Sequence, residues 1–306
     1  MQTTDKVLMV RPVRFAYNEE TATNNAFQQK SASDDVAEVA VKEFDAYVSM
    51  LREQGVDVQV LQDTEEPFTP DSVFPNNCFS THYDPIPGTS LRWRTLVIYP
   101  MYAPNRRRER EKLMKILCRE KYDRVIDLSV LEQEEKYLEG TGSLILDREH
   151  RLAYACASPR TNPDALKIWA EEMNYQYILF DAVDKNCQPI YHTNVMMHVG
   201  TRFAIVCLDA IAYPTQRKAV VTMLMNSGKE IIDISLDQVN NFAGNMLELR
   251  GKDGKKVLVM SAAARQSLAE SQLQLLEQDV TVVAPDLHTI ETAGGGSARC
   301  MVAEIY

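Results

Sequence analysis

The chain has no cysteine pair at metal-ligand or redox spacing. Cys78, Cys118, Cys156, Cys187, Cys207 and Cys300 stand far apart, without any CxxC or His-x-x-x-His. That excludes a zinc site of the finger type and a disulfide framework, and reduced thiols in the cytosol are the simpler account. No apolar run is long enough to cross a membrane, and the start, Met1-Gln2-Thr3-Thr4-Asp5-Lys6, lacks the basic and apolar parts of a signal peptide, so a cytoplasmic protein is expected. There is no GxGxxG turn after the first strand and no P-loop, which removes the usual signature of a doubly wound nucleotide-binding sheet. Positive charge is also short: 33 Lys and Arg stand against 43 Asp and Glu, a net charge of −10, which argues against nucleic acid as the main partner.

What is present is an ordinary globular composition, 45% hydrophobic and 25% charged over 306 residues, enough to bury a substantial core. One basic run, Arg106-Arg107-Arg108-Glu109-Arg110, opens an expected helix and is read as a solvated mixed-charge face.

Hydrophobic periodicity then gives one unit five times, a helix followed by a strand. Apolar positions recur at helical spacing from Asp34 to Gln54, with Ser33 or Asp34 as N-cap, Gly55 past the end and a strand from Val56 to Leu61. An Asn105-capped helix to about Glu120 precedes Arg124 to Leu128, and Asn162-Pro163 starts a helix to about Met173 before Tyr175 to Phe180. Thr215 to Asn226 precedes Glu230 to Ile234, and Ala262 to Glu277 precedes Val280 to Ala284. Strand-like runs fill the intervals: Leu96 to Tyr99, Ser143 to Leu146 with Leu152 to Cys156, Val195 to Val199 with Phe203 to Leu208, and Met246 to Leu249 with Val257 to Met260. Helix starts roughly 50 to 70 residues apart indicate a repeat, and five modules would close best as a ring. The internal hairpins suit a mixed sheet better than a parallel one.

Between these elements lie four polar segments: Phe74-Pro75-Asn76-Asn77, Glu139-Gly140-Thr141-Gly142, His192-Thr193-Asn194, and the run Gly294-Gly295-Gly296-Ser297-Ala298-Arg299 that ends in Cys300. Cys300 is the candidate nucleophile, because glycines let a ligand approach the backbone closely and a neighbouring arginine favours a thiolate. A thiol needs a base that also returns a proton to a leaving group, and His192 has the best context of the five histidines. Glu139 heads a Gly-x-Gly turn, although an acidic stretch also reads as plain surface; Asn76 and Asn77 follow Pro75, where a purely conformational role competes. Asn18 to Asn25 reads equally as a lid or as a surface loop.

Together with Ser158-Pro159-Arg160-Thr161, these segments resemble the guanidino-group-modifying superfamily, the pentein or β/α-propeller enzymes, over nearly the whole chain. Its pattern has a Phe-x-x-Asp turn, a Glu-Gly-Gly-type turn, a Ser-x-Arg-Thr segment, a His-x-Asp segment and a cysteine near the C-terminus. The resemblance implies an α/β fold of five ββαβ-type modules around a pseudo-fivefold axis, in a single domain spanning 1–306. It also implies Cys300 as nucleophile, His192 as general acid and base, Glu139 as partner to the substrate nitrogens and the histidine, and Arg160 as clamp on a substrate carboxylate. Phe74, Asn76, Asn77 and Asn194 complete the expected substrate contacts. Backbone N–H groups of Gly294 to Ser297 are candidates for an oxyanion site. No metal and no organic cofactor is implied.

Two departures set the expected substrate. Asn77 and Asn194 stand where the family pattern has aspartates. An amide offers a donor and an acceptor, whereas a carboxylate only accepts. A neutral ureido group carries N–H donors and one carbonyl, so asparagine complements it, while an unpaired buried carboxylate would cost roughly 3 to 5 kcal/mol. The expectation is a hydrolase of a ureido amino acid, citrulline first, giving ornithine, ammonia and carbon dioxide through a covalent cysteine intermediate. The alternatives are an arginine deiminase or amidinotransferase, and a catalytically silent binding protein. The expected partner is a small amino acid, not nucleic acid or membrane; whether the chain forms a homo-oligomer is left open by the sequence.

Overall fold

A strand that pairs in parallel with its successor needs a long crossover, whereas an antiparallel neighbour needs only a tight turn. This chain uses both connections in four of its repeats; in the remaining one the antiparallel pair is made by its first and last strands. The computed structural model describes residues 1–30, 35–86 and 88–306. Its strands form five three-stranded sheets. The first contains β1 (Lys6–Arg11) and β2 (Asp57–Gln62); the second β3 (Phe79–Pro85), β4 (Arg92–Ile98) and β5 (Arg124–Asp127). The third contains β6 (Ile145–Asp147), β7 (Leu152–Cys156) and β8 (Gln176–Phe180), and the fourth β9 (Met197–Val199), β10 (Phe203–Val206) and β11 (Glu230–Asp233). The fifth has β12 (Leu247–Arg250), β13 (Lys256–Val259) and β14 (Thr281–Val283), and the last strand, β15 (Ala303–Ile305), returns to pair antiparallel with β1.

In each sheet the middle strand has one antiparallel and one parallel neighbour. Helices Val36–Glu53, Glu109–Leu117, Pro163–Met173, Pro214–Asn226 and Glu270–Glu277 lie in the crossovers. Each repeat is therefore β-β-α-β, as expected. Helix Val36–Glu53 buries Ala40, Phe44, Tyr47, Val48 and Leu51 in one core cluster with Val7 and Met9 of β1 and Val58 of β2. A fully buried side chain of the larger kinds among these contributes about 1.5–3 kcal/mol, which is what holds a crossover helix to its sheet.

Several local expectations are corrected. Asn105 does not cap a helix: the chain enters at Pro104 after Ala103, and the Asn105 amide instead donates to Asn18. The expected helix Ala262–Glu277 is two helices, Ala262–Ser267 and Glu270–Glu277, parted by an extended and buried Leu268. Ser143 ends the short helix Gly140–Ser143, so the strand begins at Ile145, and Val195 lies in a turn before β9. Asn162 caps its helix as expected, accepting from the N–H groups of Asp164 and Ala165. The expected cap at Ser33 or Asp34 lies outside the described residues. Strands β3 and β15 carry no sequence expectation. The basic run is not a solvated face: Arg106 and Glu109 are 2% and 1% exposed, and Arg107 and Arg110 turn to Met101 O and Glu132. No helix among the described residues is long and apolar enough to cross a membrane.

Candidate active site

The repeat places the polar segments in equivalent positions. Residues 74–77 lead into β3, 139–143 into β6, 192–195 into β9, and Cys300 stands three residues before β15. The fifth such position, before β12, holds Asn245, which the motif reading did not single out; its place in the repeat is the signal that finds it. The strands behind these segments border one another, β15 on β3, β6 on β9 and β9 on β12, so the segments converge.

Cys300 is 3% exposed and receives two amide donors: Asn194 Nδ2 and Asn245 Nδ2 each lie 3.3 Å from its Sγ. Asn245 cannot turn away. Its Oδ1 accepts the Arg299 N–H at 3.0 Å, and its Nδ2 also donates to the Asn194 carbonyl at 3.0 Å. The Arg299 guanidinium, expected beside the sulfur, turns to Val302 O and Glu304 instead. Ser297 Oγ donates to Glu291 at 2.6 Å, holding the Gly-rich turn, and a Cβ at Gly296 would lie 2.9 Å from the Phe74 ring. Phe74 is thus packed against the loop that carries the cysteine.

His192 Nε2 lies 2.9 Å from Glu139 Oε2, and both residues are buried. A carboxylate only accepts, so Nε2 carries the proton and Nδ1 presents its lone pair. Burial lowers the His192 pKa to about 4 against the partial support of Glu139, which leaves the ring neutral near pH 7. Burial also pushes the Glu139 carboxyl up, but Arg160 at 3.5 Å, the His192 bond and Arg106 at 3.9 Å outweigh it and hold it to about 2. Its Oε1 accepts the Tyr102 N–H at 2.9 Å. A Cβ at Gly142 would collide with Asn77 Nδ2 and lie 2.8 Å from His192 Nδ1, so that glycine lets both groups reach one point.

Asn77 Oδ1 accepts from Arg106 Nη1 at 2.8 Å, and Asn77 Nδ2 has no partner among the described residues. Asn194 Oδ1 and Asp71 Oδ1 are likewise unmatched acceptors. Asp71, also missed from sequence, is held through Oδ2 by Asn18 at 2.8 Å and Thr21 at 3.0 Å. Its pKa is raised by burial, with Arg106 and these two bonds opposing. Asn76 is buried too, but its amide donates to Thr141, joining the two turns outside the cavity lining. Arg160 lies 4.9 Å over the Tyr191 ring; its Nε donates to Asn24 Oδ1 and its Nη2 to Thr21 O, both at 2.8 Å. Asn25 donates to the carbonyls of Gly294 and Gly295. The 18–25 segment is therefore docked across the site rather than standing free. Phe74, Asn77, Asp71, Arg106, Arg160, Tyr191, His192 and Cys300 border one small cavity. No cluster of three His, Cys, Asp or Glu side chains among the described residues is placed to hold a metal ion.

The model of the eukaryotic N,N dimethylarginine dimethylhydrolase family matches residues 11–306. No curated protein sequence matches. Among solved structures, the chain is similar to the substrate-bound N-terminal domain of ArgZ, an arginine dihydrolase from the ornithine-ammonia cycle in cyanobacteria, with 16% identity, TM-score 0.75, and 98% and 97% of the two chains covered. It is similar to AgrE in complex with ornithine and NAD+, with 18% identity, TM-score 0.75 and 98% of this chain covered but 39% of that one. A dimethylarginine dimethylaminohydrolase bound to 4-chloro-2-hydroxymethylpyridine aligns over 100% of both chains at 16% identity and TM-score 0.65. At these identities the structures share the fold.

Proposed function

The chain belongs to the N,N dimethylarginine dimethylhydrolase family of guanidino-modifying α/β proteins, and we propose that it is a cysteine-dependent C–N hydrolase of a ureido amino acid, citrulline first, built as a closed five-module β/α propeller. The observation that carries the substrate is the polarity of the unmatched groups: a donor at Asn77 Nδ2 with acceptors at Asn194 Oδ1 and Asp71 Oδ1. A ureido group offers one carbonyl to the donor and N–H groups to the acceptors. A guanidinium has no acceptor and would face Asn77 Nδ2 donor to donor. Ornithine, the amine that citrulline hydrolysis releases, is bound in one of the solved neighbours.

In this reading Cys300 Sγ attacks the ureido carbon and its proton passes to Nδ1 of neutral His192, giving a tetrahedral adduct whose oxygen is met by the fixed amide donors. His192 returns the proton to the departing nitrogen, and a carbamoyl group remains on sulfur. A water then gives a proton to His192 as its oxygen attacks the same carbon, the C–S bond breaks, and the sulfur recovers a proton. The carbamic acid released yields carbon dioxide and an amine or ammonia, so either order of departure ends in ornithine, ammonia and carbon dioxide. Glu139 keeps Nε2 protonated throughout, as an orienting carboxylate does in other thiol and hydroxyl catalysts. Arg160 takes the substrate carboxylate. Purified protein incubated separately with citrulline and with arginine, followed by amino-acid and ammonia analysis, tests the reading: ornithine from citrulline and no product from arginine support it, and citrulline as a product from arginine defeats it.

A further inference from the structure

A second cavity, of about 400 Å³, shares none of its lining residues with the catalytic one. Its walls are the N-terminal segment at Phe27, the loop between β8 and β9 at Asp184 and Lys185, the turn before β12 at Asn240 and Phe242, and the helix His288–Gly294 at Glu291. Glu291 is 6% exposed, and its carboxylate is held by two neutral hydroxyls, Ser297 at 2.6 Å and Ser261. It forms no ion pair within the described residues. Burial pushes its pKa up to about 7; Glu43 adds to the rise, while the two serines and His288 oppose it.

A buried carboxylate is costly unless a cation meets it, and the chain sends none to Glu291. Asp184 adds a second carboxylate to the wall, with Oδ1 accepting the N–H groups of Asn186 and Gln188 at 2.8 Å each. Lys185, on the same loop, is turned to Asp237 at 3.9 Å. The Phe27 and Phe242 rings stand 5.3 Å apart, tilted, and offer aromatic faces that suit an organic cation better than a bare metal ion. Asn240 Nδ2 is a buried donor without a partner among the described residues, so the lining also holds a place for an acceptor. We propose that this cavity is a binding site for a small organic ammonium ion with an acceptor at its far end, the cation set against Glu291 and Asp184 beside the Phe27–Phe242 pair and the acceptor toward Asn240 and Lys185. Occupation of this cavity is independent of what Cys300 acts on. It places the ligand against the helix that runs into the Gly-rich turn of the nucleophile.

The probe is δ-aminovalerate, with valerate as the analogue lacking the ammonium group, each titrated calorimetrically into protein whose Cys300 has been carboxamidomethylated so that the catalytic cavity is filled. δ-Aminovalerate is expected to bind and valerate is not. The cation needs an ionised Glu291, so affinity should fall between about pH 8 and pH 6, as a carboxyl with a pKa of about 7 takes up its proton, and His288→Gln should keep that dependence. Glu291→Gln retains an acceptor for Ser297 but not the charge, and should weaken binding about tenfold or more. Asp184→Asn, which keeps the turn's acceptor on the open side of the cavity, should weaken it as well. A melting curve for each protein shows that it is folded. Equal binding of the two probes, undiminished binding in the folded variants, or binding that disappears when Cys300 is alkylated each overturns the proposal, the last because the ligand then occupies the catalytic cavity.

Discussion

His192 Nε2 and Glu139 Oε2 are 2.9 Å apart inside the protein, and the contact sets both the proton inventory of the site and its response to pH. With the His192 pKa lowered to about 4 by burial, the base form persists well below the ordinary histidine range. The acid limb of kcat/KM should fall near pH 4 to 5 rather than at 6.5, measured on the folded protein over short assays. Glu139→Gln should lower kcat by about a hundredfold or more, because an amide no longer fixes the tautomer. An acid limb at 6.5 would remove His192 from the role of base.

The same burial links pH to stability. The folded-state pKa values of His192 and His198, about 4 and about 3, lie below the ordinary 6.5, and that of His82 is lowered too, in each case chiefly by burial. Each is neutral when folded and takes up a proton on unfolding below 6.5, so the stability they carry is complete above 6.5 and is lost as pH falls toward 4. Thermal melts between pH 7 and 4.5 should show a declining Tm, and His198→Gln should flatten the slope.

Cys300→Ser and Cys300→Ala should abolish turnover with an unchanged melting curve. Asn245→Ala removes one of the two donors to the sulfur, and should slow both turnover and alkylation of Cys300, turnover by about tenfold or more. Normal alkylation with lost turnover would place Asn245 at the tetrahedral adduct instead of the resting thiol.

Asn77→Asp with Asn194→Asp exchanges two amides for carboxylates, one on the cavity wall and one against the Cys300 sulfur. The double variant should hydrolyse citrulline more slowly and bind arginine better, with or without turnover of arginine. An unchanged citrulline-to-arginine ratio would detach the asparagines from substrate choice.

Arg160 stands between Glu139 and the 18–25 segment. Arg160→Ala should weaken citrulline far more than its decarboxylated analogue, which lacks the group the guanidinium grips. Equal losses, together with faster proteolysis near residues 18–25, would make Arg160 an anchor of that segment.

The repeat and four of the converging segments were legible in the sequence because their signals are local. Helical periodicity, the Asn162-Pro163 start and the Gly-x-Gly and Gly-rich turns are written in neighbouring residues; the grouping of Cys300, His192, Glu139, Asn77 and Asn194 came from the family resemblance, and the structure brings His192 to Glu139 and Asn194 to Cys300. Strand β3, polar in part, and the short β15 gave no such signal.

What only the tertiary structure decided was which way polar groups face and which charges are buried. Arg106 reads as a surface helix residue until Asn77, Glu109 and Glu139 surround it, and Asn245 acquires meaning only beside Cys300, 55 residues away. The donor end of Asn77 is set by a cation 29 residues distant, and the 18–25 segment is held by Arg160, 139 residues from Thr21. A buried charge is stable only with its partners, and those partners are brought from remote parts of the chain by the fold. The residue types were therefore given by the sequence, and their polarity toward a substrate by the packing of five modules.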